Sequence, residues 1–324
     1  MNSFTDPANQ PWRVGNFTEM FQSALKQIAQ PDWLGSTCPD AALLAAMSTQ
    51  LEQTVLQFYL SSFGLLEALV RLHEHQVFRG FVQDTLTQLR RIRIRARGSD
   101  EFFLAHCNPA RANRSAGAGR LTPPLGIDLR ASPSSTCFLD EWNQKWQQRG
   151  LQLAYMTSID GGPHYCSCNP FPFGQFHTTI ATSTHRQQRW SDKADLVHVI
   201  RCSVELASLL PGWVVFFNSS KAAGASIPAH RHYQAFKIDD PQRPFPLQQA
   251  AARTAALSES WNIVALVGGK DYAVTCFRFA ADPKTIVQQA TELALRVALA
   301  RQLVFRERRH YRGGWSCVSL LHSA

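Results

Sequence analysis

The chain has 324 residues, of which 45% are hydrophobic and 18% are charged. These proportions are typical of a folded globular protein and exclude extensive disorder, because disordered chains lack the apolar residues that offset the entropy of ordering. Lysine and arginine outnumber aspartate and glutamate by 33 to 24, which gives a formal net charge of +9. A basic surface favours anionic ligands such as nucleotides, sugar phosphates, nucleic acids and lipid surfaces, without choosing among them.

Hydropathy and cysteine usage indicate a cytoplasmic protein that does not act in a membrane. No apolar run reaches the roughly 18–20 residues that a membrane span needs. The first residues, MNSFTDPANQPWRVGNF, lack the apolar core of a signal peptide. The eight cysteines form no dense framework and no CxxC pair, so we expect them to be mostly reduced and buried.

The N-terminal third is predicted to be helical. Apolar residues recur at helical spacing over 41–60, and Asp40 is placed to cap that helix. A second helix is predicted from about Phe63 to Arg97, ending in the basic segment RRIRIRARG. We therefore divide the chain into a helical N-terminal region, residues 1–100, and a second unit, residues 101–324.

The second unit is predicted to contain an antiparallel sheet with helices. Short runs rich in Val, Phe and Tyr are separated by turn residues. These runs are EFFLAHC, LQLAYMTS, HTTIATS, WVVFFNS, HYQAFKI, WNIVALVG, DYAVTCFRF and LVFRE. One helix is predicted to begin after an N-cap at Ser191 and to end at Pro211–Gly212, and another to span Pro283 to about Leu303. Strands grouped around long helices define the α+β class.

The sharpest local feature is the segment FFNSSKAAGASIPAHRHYQAF, residues 216–236. If it ends in a strand, alternation places His230, His232 and Gln234 on one face. The small residues before them let backbone N–H groups approach an anion closely. Such histidines could bind a metal, one imidazole could attack phosphorus, or both could be ordinary structural residues.

This segment resembles the active-site motif of the histidine-triad (HIT-like) superfamily. Its transferase branch carries glutamine, as at Gln234, where the hydrolases carry a third histidine. Two further segments, HCNPARANRS at 106–115 and CNPFPFGQFHTTIATSTHRQQ at 168–188, resemble other family segments and occur in the family's order. The pattern is most similar to diadenosine tetraphosphate phosphorylases (ATP adenylyltransferases), near the GDP-hexose phosphorylases.

The resemblance implies a HIT-like antiparallel sheet flanked by helices and a role for each motif residue. His232 would attack the α-phosphorus of a nucleotide, His230 would orient it, and Gln234 would bond a phosphoryl oxygen. Apart from the resemblance, the chemistry of guanidinium allows Arg111 to clamp phosphates by bidentate hydrogen bonds, the alternative being a loop arginine that faces solvent, and Asn169 would meet ribose hydroxyls unless it caps the turn with Pro170. The remaining phosphate-binding positions would be Asn218, Lys221, Gly224, Ala225 and Ser226.

The resemblance also implies a candidate structural zinc site. Its ligands would be Cys137, Asp140, His185 and His230, with Asp140 standing where relatives have a second cysteine. Mixed nitrogen, sulfur and oxygen ligation suits zinc. The alternative is that Cys137 is an ordinary buried thiol. The reaction itself requires no cofactor, although a divalent cation could accompany the nucleotide.

The expected function is therefore a nucleotidyl transferase or phosphorylase acting through a covalent nucleotidyl-histidine. Its substrate would be a dinucleoside polyphosphate or a nucleoside diphosphate sugar, and inorganic phosphate would be the acceptor. An amide such as Gln234 cannot act as a general acid or base, which disfavours hydrolysis. The alternatives are a nucleotide hydrolase of the same fold and a non-catalytic nucleotide-binding module. Nucleic-acid binding is not expected, because RRIRIRARG and RERRHYR lack interleaved aromatic residues.

Overall fold

The structure is a computed structural model. The described ranges are residues 41–82, 86–95, 102–109, 152–190, 192–219, 230–238, 263–266, 276–279 and 317–321, with isolated positions at 139, 225, 227, 285, 288–289, 292 and 296. The predicted strand LVFRE lies outside these residues.

The N-terminal helices form where periodicity predicts them, but the second is much shorter than expected. Helix α1 spans Ala41–Leu60 and helix α2 spans Leu65–Phe78. Gly80, with φ of 76°, follows the last turn of α2. A left-handed glycine is a common helix terminator.

The basic segment that was predicted to end the second helix is instead a strand. Strand β1, Arg90–Arg95, pairs antiparallel with β2, Phe102–Cys107, which the sequence predicted. Isoleucines alternate with arginines in RRIRIR, and β-branched residues at period two favour an extended chain. The helix prediction is therefore wrong for the described residues 79–82 and 86–95.

The central element is a six-stranded sheet whose neighbouring strands are all antiparallel. Along the chain, its first five strands are β3 (Ala154–Ile159), β4 (Gly162–Cys168), β5 (Gln175–Thr182), β6 (Trp213–Asn218) and β7 (His232–Lys237). The next two strands, β8 (Ile263–Leu266) and β9 (Cys276–Phe279), pair with each other in a separate two-stranded sheet. The sixth strand of the central sheet is β10 (Cys317–Leu321). The spatial order is β10-β6-β7-β5-β4-β3, which places the histidine strand β7 in the interior.

The α+β prediction is confirmed. Strands β4 and β10 were not predicted, and β4 was missed because it opens with Gly162–Pro163.

Helix α3, Lys193–Leu209, connects β5 to β6 and was predicted with one error at its start. The N-cap is Asp192 rather than Ser191, because the Asp192 side chain accepts a hydrogen bond from the backbone N–H of Asp195 at 2.9 Å. In the described part of the predicted helix from Pro283, the N–H of Gln289 donates to the carbonyl of Thr285 at 3.0 Å.

The helices cover one face of the sheet and leave the other to the candidate site. Along β6 and β7 the buried apolar side chains alternate, and they pack with apolar residues of α1, α2 and α3 in one hydrophobic core. The sheet residues in that core include Trp213, Val215, Phe217, Tyr233 and Ala235. Alternation then places His232 and Gln234 on the opposite face. None of the helices that the structure describes combines the length and apolar character needed to cross a bilayer.

The N-terminal helix α1 also covers the edge of the sheet at β3. Gln53 bonds the backbone N–H and C=O of Ala154 at 2.9 and 2.5 Å, and Gln57 does the same to Met156 at 2.7 and 2.8 Å. No strand among the described residues pairs with the outer side of β3, and two glutamine side chains bond its backbone there, which protects an edge that could otherwise pair with another chain. Helices α1 and α2 therefore contribute apolar residues to the same core as the sheet.

Candidate functional site

The two motif histidines lie where β7 begins, at the centre of the sheet. His230 precedes the strand and His232 is its first residue. In the register of the sheet, His232 pairs with Ala181 of β5, and Gln234 pairs with Thr179 of β5 and Phe216 of β6. The alternation predicted for His232 and Gln234 is thus realised, and both side chains belong to the face away from the helices.

The hydrogen bonds of His232 determine which ring nitrogen carries its lone pair. Its Nδ1 lies 2.9 Å from the carbonyl oxygen of His230, so Nδ1–H donates and Nε2 is left as a free base. Gln188 holds the backbone on both sides, accepting from the N–H of His232 at 2.6 Å and donating to its carbonyl at 2.8 Å. Burial lowers the pKa of His232 to about 4, although the bond to His230 opposes this. The ring is therefore neutral at pH 7, with one defined tautomer.

A buried histidine that the sequence analysis did not single out sets the orientation of Gln234. The Nε2 of His177 lies 3.1 Å from Oε1 of Gln234, and a proton on that nitrogen donates to the amide oxygen. The two N–H groups of the Gln234 amide then point elsewhere, as donors for an anion. His177 is held by ring contacts with Phe173, Phe216 and Phe236.

His230 is fully buried just before β7 and is hydrogen-bonded to Thr182 of β5. Its Nε2 lies 2.7 Å from the carbonyl oxygen of Thr182 and 3.3 Å from that residue's hydroxyl. Since Nε2 donates to a carbonyl, this nitrogen is not available as a metal ligand. The ring of His185 stands nearly perpendicular to it, with centroids 5.2 Å apart.

Half of the candidate zinc set is thus brought together. His185 and His230 are neighbours, whereas Cys137 and Asp140 lie outside the described residues. Leu139, which lies between those two in the sequence, is described and packs on Ala181, one residue from the Thr182 that binds His230. The residues present are compatible with zinc, and zinc binding there stays a prediction.

The predicted phosphate and ribose contacts are only partly described. Asn218 ends β6 and is half-buried, and Ala225 is buried. Asn169 uses Oδ1 to accept from the N–H of Phe171 at 2.9 Å, which is the turn-capping arrangement that was weighed against a ribose contact. The other predicted contacts, Arg111, Lys221, Gly224 and Ser226, lie outside the described residues, and their roles stay predictions.

Two segments that resembled family motifs meet at the edge of the site. His106 contacts the carbonyl of Phe173 through Nδ1 at 3.3 Å, and Asn108 donates to the carbonyl of Pro172 at 3.2 Å. Phe173 in turn stacks on His177 at 4.0 Å between ring centroids. The segment HCN at 106–108 therefore supports the loop that holds the Gln234 partner.

Arg231, between the two histidines, is also a residue that sequence reasoning missed. It is 2% exposed and forms a bidentate ion pair with Asp195 at 2.6 and 2.8 Å. It also donates to the carbonyl of Arg189 at 2.6 Å. A charged residue between two histidines of a strand is normally expected to be exposed. The sequence signal that could have indicated a buried ion pair was the acidic residue early in α3.

A glycine allows the aromatic cluster around His177 to form. A Cβ on Gly174 would lie 2.3 Å from Cδ2 of Phe236, closer than any real contact. We expect Gly174→Ala to lower the free energy of unfolding by about 1–3 kcal/mol, because Phe236 must leave its position. Chemical denaturation measures this. Gly162→Ala, whose Cβ would meet only ordinary contacts from 3.7 Å, is the matched control and is expected to change little.

Together these features define an α+β protein with a neutral, tautomer-fixed histidine on an antiparallel sheet. The chain belongs to the family described as "Domain of unknown function (DUF4922)", whose model matches residues 73–237. No curated protein matches it significantly.

Among solved structures, the chain is similar to yeast Ap4A phosphorylase Apa2. The complex with AMP is 14% identical, with a TM-score of 0.43, over 77% of this chain and 76% of that one. The complex with Ap4A is also 14% identical, with a TM-score of 0.43, over 80% and 78%. A further structure of the yeast enzyme has 14% identity and a TM-score of 0.41, over 80% and 76%.

Proposed function

We propose that this protein is a nucleotidyl transferase of the phosphorylase type, with His232 as its nucleophile. The substrate would be a dinucleoside polyphosphate or a nucleoside diphosphate sugar, the class implied by the motif N-x(5)-G-A-S-x(3)-H-x-H-x-Q at 218–234. The observation that carries the proposal is the Nδ1–H bond from His232 to the carbonyl of His230 at 2.9 Å.

That hydrogen bond supplies what a phosphorus nucleophile needs. The lone pair on Nε2 attacks the α-phosphorus without first losing a proton, and the bond to the distal phosphate breaks with its electron pair leaving on oxygen. The imidazole becomes cationic in the covalent intermediate, and the carbonyl of His230 stabilises that charge through Nδ1–H. The low pKa of His232, caused mainly by burial, keeps the starting ring in its reactive neutral form.

The second half of the reaction follows from the pair formed by Gln234 and His177. With Oε1 bound to His177 at 3.1 Å, the Gln234 amide offers only donors to a phosphoryl oxygen. It cannot take a proton from water at neutral pH, so water is not activated at this position. An anionic acceptor such as inorganic phosphate needs no deprotonation; its oxygen attacks phosphorus, and the bond to Nε2 breaks and restores the neutral ring.

The experiment that tests the proposal is covalent trapping. Enzyme is mixed with a dinucleoside polyphosphate labelled at the α-phosphorus and quenched, and the label is located by peptide mapping. We expect acid-labile, base-stable label on His232, the stability pattern of a phosphorus–nitrogen bond. Label on a hydroxyl residue would refute the assignment.

Product analysis separates the two alternatives. Nucleoside diphosphate formed only when phosphate is present supports phosphorolysis. Nucleoside monophosphate formed at the same rate with and without phosphate would indicate a hydrolase instead. Tight nucleotide binding with neither label nor product would indicate a non-catalytic binding module.

A further inference from the structure

We infer that Asp160, His198 and Cys202 form a binding site for a zinc-like divalent cation on the helix side of the sheet, with His164 as a candidate fourth ligand. This side is opposite to the one that carries His232. The cluster joins the turn between β3 and β4 to helix α3, and it does not depend on the proposed transfer reaction.

Three of the donors already converge. Asp160 Oδ2 lies 2.9 Å from His198 Nδ1, and Cys202 Sγ lies 3.8 Å from the same nitrogen. One ligand atom from each of the three lies within 4.8 Å of the others. Ligands bound to one tetrahedral zinc at 2.0–2.3 Å are about 3.3–3.7 Å apart, so small side-chain shifts place an ion among them.

The backbone fixes these donors on two different elements. His198 and Cys202 are four residues apart on α3, which places them on the same face of the helix. Asp160 sits in the hairpin turn with a left-handed φ of 47°, and its N–H donates to Glu205 Oε2 at 2.6 Å. A metal ion would therefore fasten the β3–β4 turn to the helix.

His164 is the candidate fourth donor; it lies outside the three-residue group, but its tautomer is the one a metal ligand needs. Its Nδ1–H donates to the carbonyl of Gly162 at 2.9 Å, which leaves the lone pair on Nε2. That nitrogen is buried and has no hydrogen-bond partner within the part of the chain that the structure describes. His164 lies in β4 just after the turn that carries Asp160, and its ring centroid is 6.1 Å from that of Tyr233. A histidine held by its other nitrogen on a carbonyl is the usual form of a metal ligand.

Tyr233 provides a second, independent indication. Its hydroxyl is fully buried and lies next to the Cys202 thiol, yet in the described residues it has no hydrogen-bond partner of good geometry. A buried hydroxyl without a partner is costly. A metal-bound thiolate is a better acceptor than a thiol, so Tyr233 would donate to the Cys202 sulfur in the metal-bound state.

Charge and access are compatible with an ion at this position. The two positive charges of zinc are balanced by the Asp160 carboxylate and the Cys202 thiolate, whose proton leaves to solvent on binding. Arg201 bonds Asp160 through Oδ1 at 2.6 Å and leaves Oδ2 to the ion. His198 also lines a surface cleft of about 600 Å³, so this member of the cluster is reached from solvent.

The test is cobalt and zinc titration of the full chain. We expect stoichiometric Co²⁺ binding with a thiolate-to-cobalt charge-transfer band in the near ultraviolet, displaced by Zn²⁺. Cys202→Ser should abolish the band, and His198→Gln should weaken Co²⁺ affinity by about 100-fold or more, beyond the effect of losing a supporting hydrogen bond. Cys166→Ser, which alters another buried cysteine of the same core, is the matched control and should retain the band.

Cys137→Ser separates this site from the candidate zinc set near His230. Persistence of the band in Cys137→Ser and its loss in Cys202→Ser support the inference. The reverse pattern, or no band in the wild-type chain, overturns it. If Cys202→Ser does not fold, Asp160→Asn serves in its place: in wild type, zinc should raise the melting temperature, and in this variant the rise should be lost, whereas an equal rise in both refutes the site.

Discussion

His232→Ala is expected to abolish covalent labelling and to reduce turnover by a factor of at least about 10⁴. Removing a nucleophile eliminates the pathway through the intermediate, and what remains is only the acceleration from binding and charge stabilisation. The loss should appear in the chemical step rather than in nucleotide binding. Rapid-quench measurement of labelling, with nucleotide affinity measured by calorimetry, checks both parts.

The fold of this variant should survive, because the contacts that hold residue 232 are mostly made by its backbone. Gln188 bonds the N–H and the carbonyl, and alanine keeps both groups. Lys237→Ala, at the exposed end of the same strand, is the control and should retain wild-type turnover. Near-wild-type labelling in His232→Ala would eliminate this histidine as the nucleophile.

The sequence predicted which site residues share one face of the sheet, but it did not predict the residues that hydrogen-bond to them. His232 and Gln234 could be placed on one face because alternation along a strand is a property of the backbone alone. Their partners could not be derived in the same way: His177 and Gln188 are 57 and 44 residues away in the chain from the residues they bond. Both lie in the segment 168–188 that resembled the family, so the signal was present without the role.

The errors of the fold prediction have a common physical origin. RRIRIR was interpreted as the end of a helix because a helix preceded it, although Ile92 and Ile94 alternate with charged residues and the segment pairs with β2. Strand β4 was missed because Gly162–Pro163 looks like a turn, and indeed the turn at Asp160–Gly161 directly precedes it. For RRIRIR the alternation was a local signal that the prediction did not use, whereas for β4 pairing with β3 and β5, which local sequence does not show, decided the structure.

Asp195→Asn is expected to lower the free energy of unfolding by about 3–5 kcal/mol, the largest stability loss among the single changes considered. Arg231 is 2% exposed and Asp195 is its only carboxylate partner in the described chain, so the variant leaves a buried guanidinium without a counter-charge. Arg231→Met should cost less, because the Asp195 side chain is 16% exposed and lies at the start of α3, where negative charge is favoured. Urea unfolding of the two variants measures this asymmetry.

Asp192→Asn is the control that makes this result interpretable. It removes the same charge three residues away, but asparagine caps a helix as well as aspartate does, so the cost should stay well below ~1 kcal/mol. Equal losses in Asp195→Asn and Asp192→Asn would mean that general charge at the helix start, not the ion pair, is responsible.

The ion pair between Arg231 and Asp195 should influence the rate of His232 labelling as well as the free energy of unfolding. Arg231 joins the two histidines to α3 and to the segment after β5, through Asp195 and the carbonyl of Arg189. A displacement of about 1 Å at a reacting atom costs on the order of 10²-fold in rate. Labelling of His232 by the folded fraction of Asp195→Asn should therefore slow by about 10–100-fold, with nucleotide affinity changed much less. Undiminished labelling would show that Arg231 stabilises the fold without positioning the nucleophile.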